Sequence, residues 1–304
     1  MANNGFAADF SIRFWGYKDK LKEKSAYEDT QNIVYYPDIR QSVWLLICLL
    51  FLLILVGIPL FLVGVWIDYP LHEHPACQGV ISAVAFGLII KWGIGKSGRS
   101  FSDICPVASV ERSKYPLMVL LILGLEILLS EADNVLRTLL PAPEWLMDQL
   151  VDLVRAEQSL WGSILALIVV APLTEEILFR GLILDGFLRK YSVPKSIVVS
   201  ALLFGLFHFN PWQFVAAFVG GIILAWWRIR TGSIVPCIFG HAFKNAIPMV
   251  VLGMKIEIRG YSSDPTGPIQ LQPWWFDVIG VILFVTAFFA LQQRFAESQQ
   301  HYEV

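Results

Sequence analysis

The sequence predicts an all-α fold, a polytopic bundle of about eight transmembrane helices with a polar cavity inside the membrane. Hydrophobic residues make up 56% of the chain and charged residues 16%, whereas a soluble domain has about 45–50% and about 25%. Apolar runs close to the roughly 20 residues that cross a bilayer recur along the chain. Ionisable side chains inside these runs are few, and most of them fall in three runs. A charge in hydrocarbon is costly, so these side chains mark a functional site by default.

The apolar runs give the order of the helices. Some runs are shorter than an ideal span, which makes eight an approximate number. Together they form a transmembrane domain over residues 41–295, with a cytosolic tail at 1–40 and a C-terminal tail at 296–304. The predicted spans are residues 43–66, 78–95, 115–130, 160–188, 194–209, 212–229, 233–253 and 273–292.

Lysine and arginine positions predict the orientation, because cytoplasmic loops are enriched in both residues. Basic residues precede the first span and fill the loops after the second, fourth and sixth spans, whereas the loop after the first span has none. Lys255 and Arg259, in a predicted outer loop, are exceptions. We therefore expect a multi-pass membrane protein with both termini in the cytoplasm. The expected location, which the loop charges do not determine, is the plasma (inner) membrane of a prokaryote.

Charge and cysteine content exclude some classes of binding partner and of structural site. The net charge is −2, and no basic surface suggests nucleic acid as a partner. The four cysteines are scattered without CxxC spacing, which argues against a disulfide framework or a zinc–thiolate site. The expected partners are membrane lipids and a membrane-associated protein or peptide.

The polar residues of three spans fall at similar depth. Glu175 precedes one predicted inner loop by roughly 22 Å of helix, and His208 follows the same loop by roughly 24 Å. His241 and Asn245 follow the next inner loop by roughly 15 Å and 21 Å. Random scatter would rarely place polar groups of three helices at one depth, so we expect them to share a cavity.

Helical spacing separates the two adjacent glutamates. Glu176 and Arg180 are four residues apart with the acid first, the favourable order for an ion pair on one helix face. Glu175 is rotated by about 100° from Glu176, so it cannot share the arginine equally well. We expect Glu176 and Arg180 to form a supporting pair, and Glu175 to face the cavity as a general base or acid.

The remaining site residues lie on two other helices. His241 and Asn245 are also four residues apart, and both can donate hydrogen bonds to a developing oxyanion. Phe204 lies one turn before His208 and is expected to position it by packing. Lys244 is close to this set, and Glu126 is expected to be structural or to line the cavity.

These residues carry a family resemblance. The segments EEILFR (175–180), FGLFH (204–208) and HAFKN (241–245) match in order and spacing the EExxxR, FxxxH and HxxxN/B motifs. The chain therefore resembles the CAAX protease and bacteriocin-processing (CPBP, or Abi) family of intramembrane proteases. The resemblance covers about residues 160–250, the family's catalytic core.

The resemblance implies an intramembrane endopeptidase that cuts near the C-terminus of a lipid-modified or membrane-associated protein. Glu175 would activate a water, His208 would hold or deprotonate it, and His241 with Asn245 would stabilise the oxyanion. Glu175, His208 and His241 could also bind zinc, although the chain has no HExxH motif. A metal-free glutamate mechanism is equally compatible and is slightly preferred. The alternative is a non-catalytic protein using the same cavity: a binding or bacteriocin self-immunity factor, or a small transporter.

Overall fold

A computed structural model describes residues 35–148, 159–262 and 268–300. Within these ranges the chain is helical and has no β-strand, which confirms the all-α class. Most of the predicted N-terminal tail and the last residues of the C-terminal tail lie outside the described residues. The described helices are α1 (Ile39–Ile67), α2 (Pro75–Ser97), α3 (Phe101–Ile104), α4 (Lys114–Leu139), α5 (Leu160–Lys190), α6 (Val193–Phe207), α7 (Pro211–Thr231), α8 (Val235–Gly253) and α9 (Trp274–Gln300).

Seven of these helices are long and apolar enough to cross a membrane, and α6 is a shorter apolar helix. This arrangement agrees with about eight spans and with an integral membrane protein. Helix α6 has 15 residues, or roughly 22 Å, less than the hydrocarbon core of about 30 Å. A helix this short that begins at one face of the membrane ends inside it. The turn after α6 carries His208, so the helix length itself favours a histidine at depth.

Three apolar clusters pack the bundle. One centres on α1, α2, α5 and α6, a second on α4, α7, α8 and α9, and a third joins α5 and α6 to α7. Helices α5 and α8 belong to the first and the second cluster and contact each other. The polar residues of these two helices therefore meet where the two clusters adjoin.

Glycine allows α4 and α9 to approach closely. A Cβ added at Gly124 would lie 2.5 Å from the backbone nitrogen of Phe284 and 2.7 Å from the carbonyl oxygen of Gly280. Small residues at such crossings let membrane helices gain packing contacts that hydrophobicity alone does not supply. This contact holds α4, and with it Glu126, in a fixed position beside α8.

Polar contacts tie the helix ends together on the predicted cytoplasmic side. Asp185 pairs with Arg99 and with Arg189, whose Nε lies 3.1 Å from Asp185 Oδ2. Asp38 caps α1 by accepting a hydrogen bond from the backbone nitrogen of Gln41, and it also accepts one from Lys190 Nζ at 2.8 Å. These contacts join α1, α2 and α5.

Replacing Asp38 tests its contact with Lys190. The hydrogen bond from Lys190, followed by that from Gln41, holds the pKa of Asp38 below its ordinary value. A lowered pKa adds stability above the unfolded-state pKa, and this stability is lost as pH falls through the folded-state pKa. We expect Asp38→Ala to cost about 1 kcal/mol at neutral pH, and less in acid, measured by thermal unfolding in detergent. Asp38→Asn, which keeps the cap, should lose less stability. If Asp38→Ala loses as much stability in acid as at neutral pH, the contribution of the ion pair is contradicted.

Candidate active site

Helix α5 departs from regular α-helical geometry on both sides of the paired glutamates. The α-helical turns at Ala171–Glu176 lie between π-helical segments at Ile164–Val170 and Ile177–Ile183. π-Helical turns are rare and often occur at functional sites. The sequence analysis assumed a regular helix here and did not predict these segments.

Glu176 and Arg180 form the expected ion pair. Arg180 Nη1 lies 3.0 Å from Glu176 Oε1, and both side chains are almost completely buried. The guanidinium carbon also lies 4.2 Å from the centre of the Phe204 ring, a cation–π contact that gains strength when it is shielded from water. A Cβ at Gly221 would come within 3.2 Å of Arg180 Nη2, so this glycine leaves room for the guanidinium.

His241 lies between the two glutamates. Its Nδ1 is 2.8 Å from Glu176 Oε1, and its Nε2 is 3.9 Å from Glu175 Oε2. A hydrogen bond at Nδ1 to a carboxylate requires a proton on that nitrogen, which fixes the ring and turns Nε2 toward Glu175. The sequence analysis expected His241 to face Glu175 and missed its bond to Glu176. The sequence does contain a signal for this bond. It has two adjacent carboxylates, and an imidazole has two ring nitrogens that can face one carboxylate each.

Burial distinguishes the two glutamates. The Glu175 side chain is 16% exposed, whereas that of Glu176 is 0% exposed. Oε2 of each glutamate is buried and has no hydrogen-bond partner among the described residues, so the difference lies in the rest of the side chain. Glu175 is the more accessible carboxylate of the two.

His208 completes the cluster from α6. Its Nδ1 lies 2.9 Å from the carbonyl oxygen of Phe204, which orients the ring through a hydrogen bond to its own helix. The Phe204 ring packs edge-on against both His208 and His241, with ring centres 4.9 Å and 5.8 Å apart. Glu175 and His241 lie within electrostatic range of His208. One phenylalanine thus packs against both histidines and the supporting arginine.

Asn245 makes a different contact. Its Nδ2 donates a hydrogen bond of 2.9 Å to the carbonyl oxygen of Leu167, in the first π-helical segment of α5. An amide nitrogen carries two hydrogens, so this bond fixes the side chain and leaves one donor. Asn245 lies one turn beyond His241 on α8 and ties α8 to α5 beside the glutamates.

A cavity of about 270 Å³ lies beside the cluster, between α4, α7 and α8. Glu126 lines it, as the sequence analysis had allowed, and Lys244 Nζ lies 3.5 Å from Glu126 Oε1. The cavity is lined by Glu126, Leu129, Ser130, Asp133, Met147, Trp212, Gln213, Ala216, Ile247, Pro248, Val251 and Tyr261.

The geometry does not assemble a metal site in the described part of the chain. No three or more of its His, Cys, Asp and Glu side chains are arranged to hold a metal ion together. Glu176 already occupies the Nδ1 side of His241, and the Phe204 carbonyl occupies Nδ1 of His208. Nε2 of each ring is therefore the nitrogen left for a water, a proton or a metal ion.

Comparison with known families supports the motif assignment. Residues 157–247 match the family described as type II CAAX prenyl endopeptidase Rce1-like. The match confirms the resemblance to CAAX proteases over this region, which contains all the candidate catalytic and supporting residues. No curated protein and no solved structure matches the chain.

Proposed function

We propose that this membrane protein, whose central region matches the CAAX prenyl endopeptidase family, is an intramembrane peptidase that cuts near the C-terminus of a lipid-modified or membrane-associated protein. The observation that carries the proposal is the pair of glutamates around His241, one fully buried against Arg180 and one partly exposed. A purely structural network would have no need of a second carboxylate without a cation beside it. A partly exposed carboxylate beside two oriented histidines suits general-base hydrolysis.

The proposed reaction begins with a water held by Glu175 and by Nε2 of His208. Glu175 takes a proton as the water oxygen attacks the carbonyl carbon of the scissile peptide bond, and a tetrahedral oxyanion forms. The protonated Glu175 then gives that proton to the amide nitrogen as the carbon–nitrogen bond breaks. The products are a new carboxyl group and a new amine, and the glutamate returns to its starting state.

His241 and Asn245 are proposed to stabilise the oxyanion. The Nδ1 proton of His241 is held by Glu176, so donation from Nε2 requires a proton on both ring nitrogens. Glu176 accepts the Nδ1 hydrogen bond and so holds the ring with Nε2 toward Glu175. Asn245 supplies its second amide hydrogen. Preorganised donors of this kind each contribute about 10²- to 10³-fold to kcat.

The proposed peptidase function agrees with a location in the membrane. A membrane-embedded site suits a substrate held in the bilayer by a lipid or by an apolar segment, and membrane lipids are then constant partners. The basic loops predict that both termini lie in the cytoplasm, and a prokaryotic plasma membrane is proposed as the location. A reporter fused after Val304 should be cytosolic; an external reporter would overturn the orientation.

A cleavage assay tests the proposed function. The purified protein, reconstituted in liposomes, should cut a fluorescent farnesylated peptide that ends in a CaaX sequence. We expect His208→Ala to lower kcat by about 10²- to 10⁴-fold, the usual contribution of a proton-transfer or water-positioning group. His72→Ala, which removes a histidine from the loop between α1 and α2, is the matched control and should keep full activity. Binding of the peptide without cleavage by the wild type would favour a non-catalytic binding protein instead.

The same assay tests whether cleavage requires zinc. Activity that survives exhaustive chelation would support the metal-free glutamate mechanism. Activity that is lost on chelation and restored by zinc alone would contradict it, and would point to Nε2 of His208 and of His241 as ligands.

A further inference from the structure

Lys244 is a charged residue of α8 that the proposed reaction does not use. It lies on the same helix face as His241, three residues after it in the next turn, and its side chain is 27% exposed. A lysine within a membrane span is costly, and such residues face a cavity or a partner. The sequence places this ammonium one helical turn from the proposed oxyanion site.

The pairing of Lys244 with Glu126 is loose. The two charged groups lie 3.5 Å apart, against 3.0 Å for Arg180 and Glu176. Oε1 of Glu126 is buried and makes no hydrogen bond within the described residues. An ammonium group has three donors, so Glu126 holds the charge of Lys244 in place while leaving it able to bind a second anion.

Lys244 also lies between the catalytic cluster and the neighbouring cavity. Its charge acts on His208, and its partner Glu126 lines the cavity together with Ile247 and Pro248, the next turn of α8. At about 270 Å³, the cavity is at the small end of the range of about 300–1,000 Å³ for ligand sites. It has room for a short end of a chain and not for a long segment.

The charges around the cavity leave Lys244 as the group available to an anion. Arg137 Nε lies 2.9 Å from Asp133 Oδ2, so that carboxylate is compensated. The apolar part of the lining, including Trp212 and Val251, suits aliphatic side chains. An apolar peptide end with a negative charge at its terminus fits this combination.

We propose that Lys244 binds the C-terminal α-carboxylate of the substrate, so that the enzyme selects chains with a free C-terminus close to the scissile bond. This inference rests on the proposed peptidase function. The residues beyond the scissile bond occupy the cavity, and the ammonium of Lys244 sets how far the chain end reaches from Glu175. Glu126, which lines the cavity, positions Lys244.

A binding comparison tests the proposal without depending on turnover. Two fluorescent farnesylated CaaX peptides, identical except for a C-terminal carboxylate or carboxamide, are titrated against Glu175→Gln protein in liposomes. Charge-assisted hydrogen bonds to a carboxylate correspond to about a 10- to 100-fold preference in Kd for the free acid. Adding Lys244→Met should reduce this preference to near one, whereas Lys244→Arg should retain most of it. A preference near one in the parent, or an undiminished preference in Lys244→Met, would overturn the proposal.

Two further variants separate substrate binding from a structural role. Lys255→Met removes a lysine from an exposed loop position and should leave the preference unchanged. Glu126→Gln frees Lys244 from its ion pair and should maintain or increase the preference, whereas a purely structural pair would make Glu126→Gln and Lys244→Met lower the preference alike. Failure of the wild type to cut either peptide would refute the peptidase proposal, while the Kd ratio would still decide whether Lys244 binds the carboxylate.

Discussion

Glu175→Gln is expected to lower kcat for peptide cleavage by about 10²- to 10⁴-fold with little change in thermal stability. Glutamine keeps the size of the side chain but cannot accept the proton of an attacking water. Glu175 is the partly exposed member of the pair, and Arg180 pairs with Glu176 instead. Replacing its charge therefore breaks no ion pair with an arginine, and the loss should appear in kcat.

Glu176→Gln is the matched comparison, because the same change is made one residue away. This carboxylate accepts hydrogen bonds from both Arg180 and His241 in a fully buried position. We expect Glu176→Gln to reduce both the melting temperature and kcat, since Arg180 loses its counter-charge and His241 loses its orienting bond. A stable, inactive Glu176→Gln together with an active Glu175→Gln would reverse the assignment of the two glutamates.

The sequence predicted the meeting of the three helices because depth in a membrane can be counted from the loops. Helical rise places Glu175, His208 and His241 at comparable distances from the predicted inner face. In the structure both histidines pack against Phe204, and Nε2 of His241 lies 3.9 Å from Glu175. The spacing of Glu176 and Arg180 likewise gave their ion pair, because four residues of helix bring two side chains onto one face. These are local or one-dimensional features, which a sequence records directly.

Contacts that depend on packing between helices were not predictable in the same way. The bond between His241 and Glu176 depends on how α8 rotates against α5, and the π-helical segments change the rotation of α5 itself. The pair of Lys244 with Glu126 requires α4 and α8 to be neighbours. Nothing in the spacing along one helix records the distance to another, so Glu126 was recognised as buried and polar but not as the partner of Lys244.

Arg180→Leu is expected to cost about 3–5 kcal/mol in the free energy of unfolding, because it leaves a buried carboxylate without its cation. Arg180 and Glu176 lie 3.0 Å apart with side chains 1% and 0% exposed, so water cannot replace either partner. Unfolding of the purified protein in mixed detergent micelles measures the loss. Arg294→Leu, which breaks an exposed pair at 3.8 Å with Glu297, should change stability by less than about 1 kcal/mol.

The double variant Arg180→Leu/Glu176→Gln separates the two explanations for such a loss. Removing both charges eliminates the unpaired carboxylate, and replacing a whole buried pair is often close to neutral. We therefore expect the double variant to recover most of the stability lost in Arg180→Leu, while kcat stays low because His241 has no carboxylate at Nδ1. If the double variant is as unstable as the single one, the loss comes from the packing of the guanidinium against Phe204 rather than from charge. Recovered stability together with recovered kcat would instead show that Glu176 is dispensable for orienting His241.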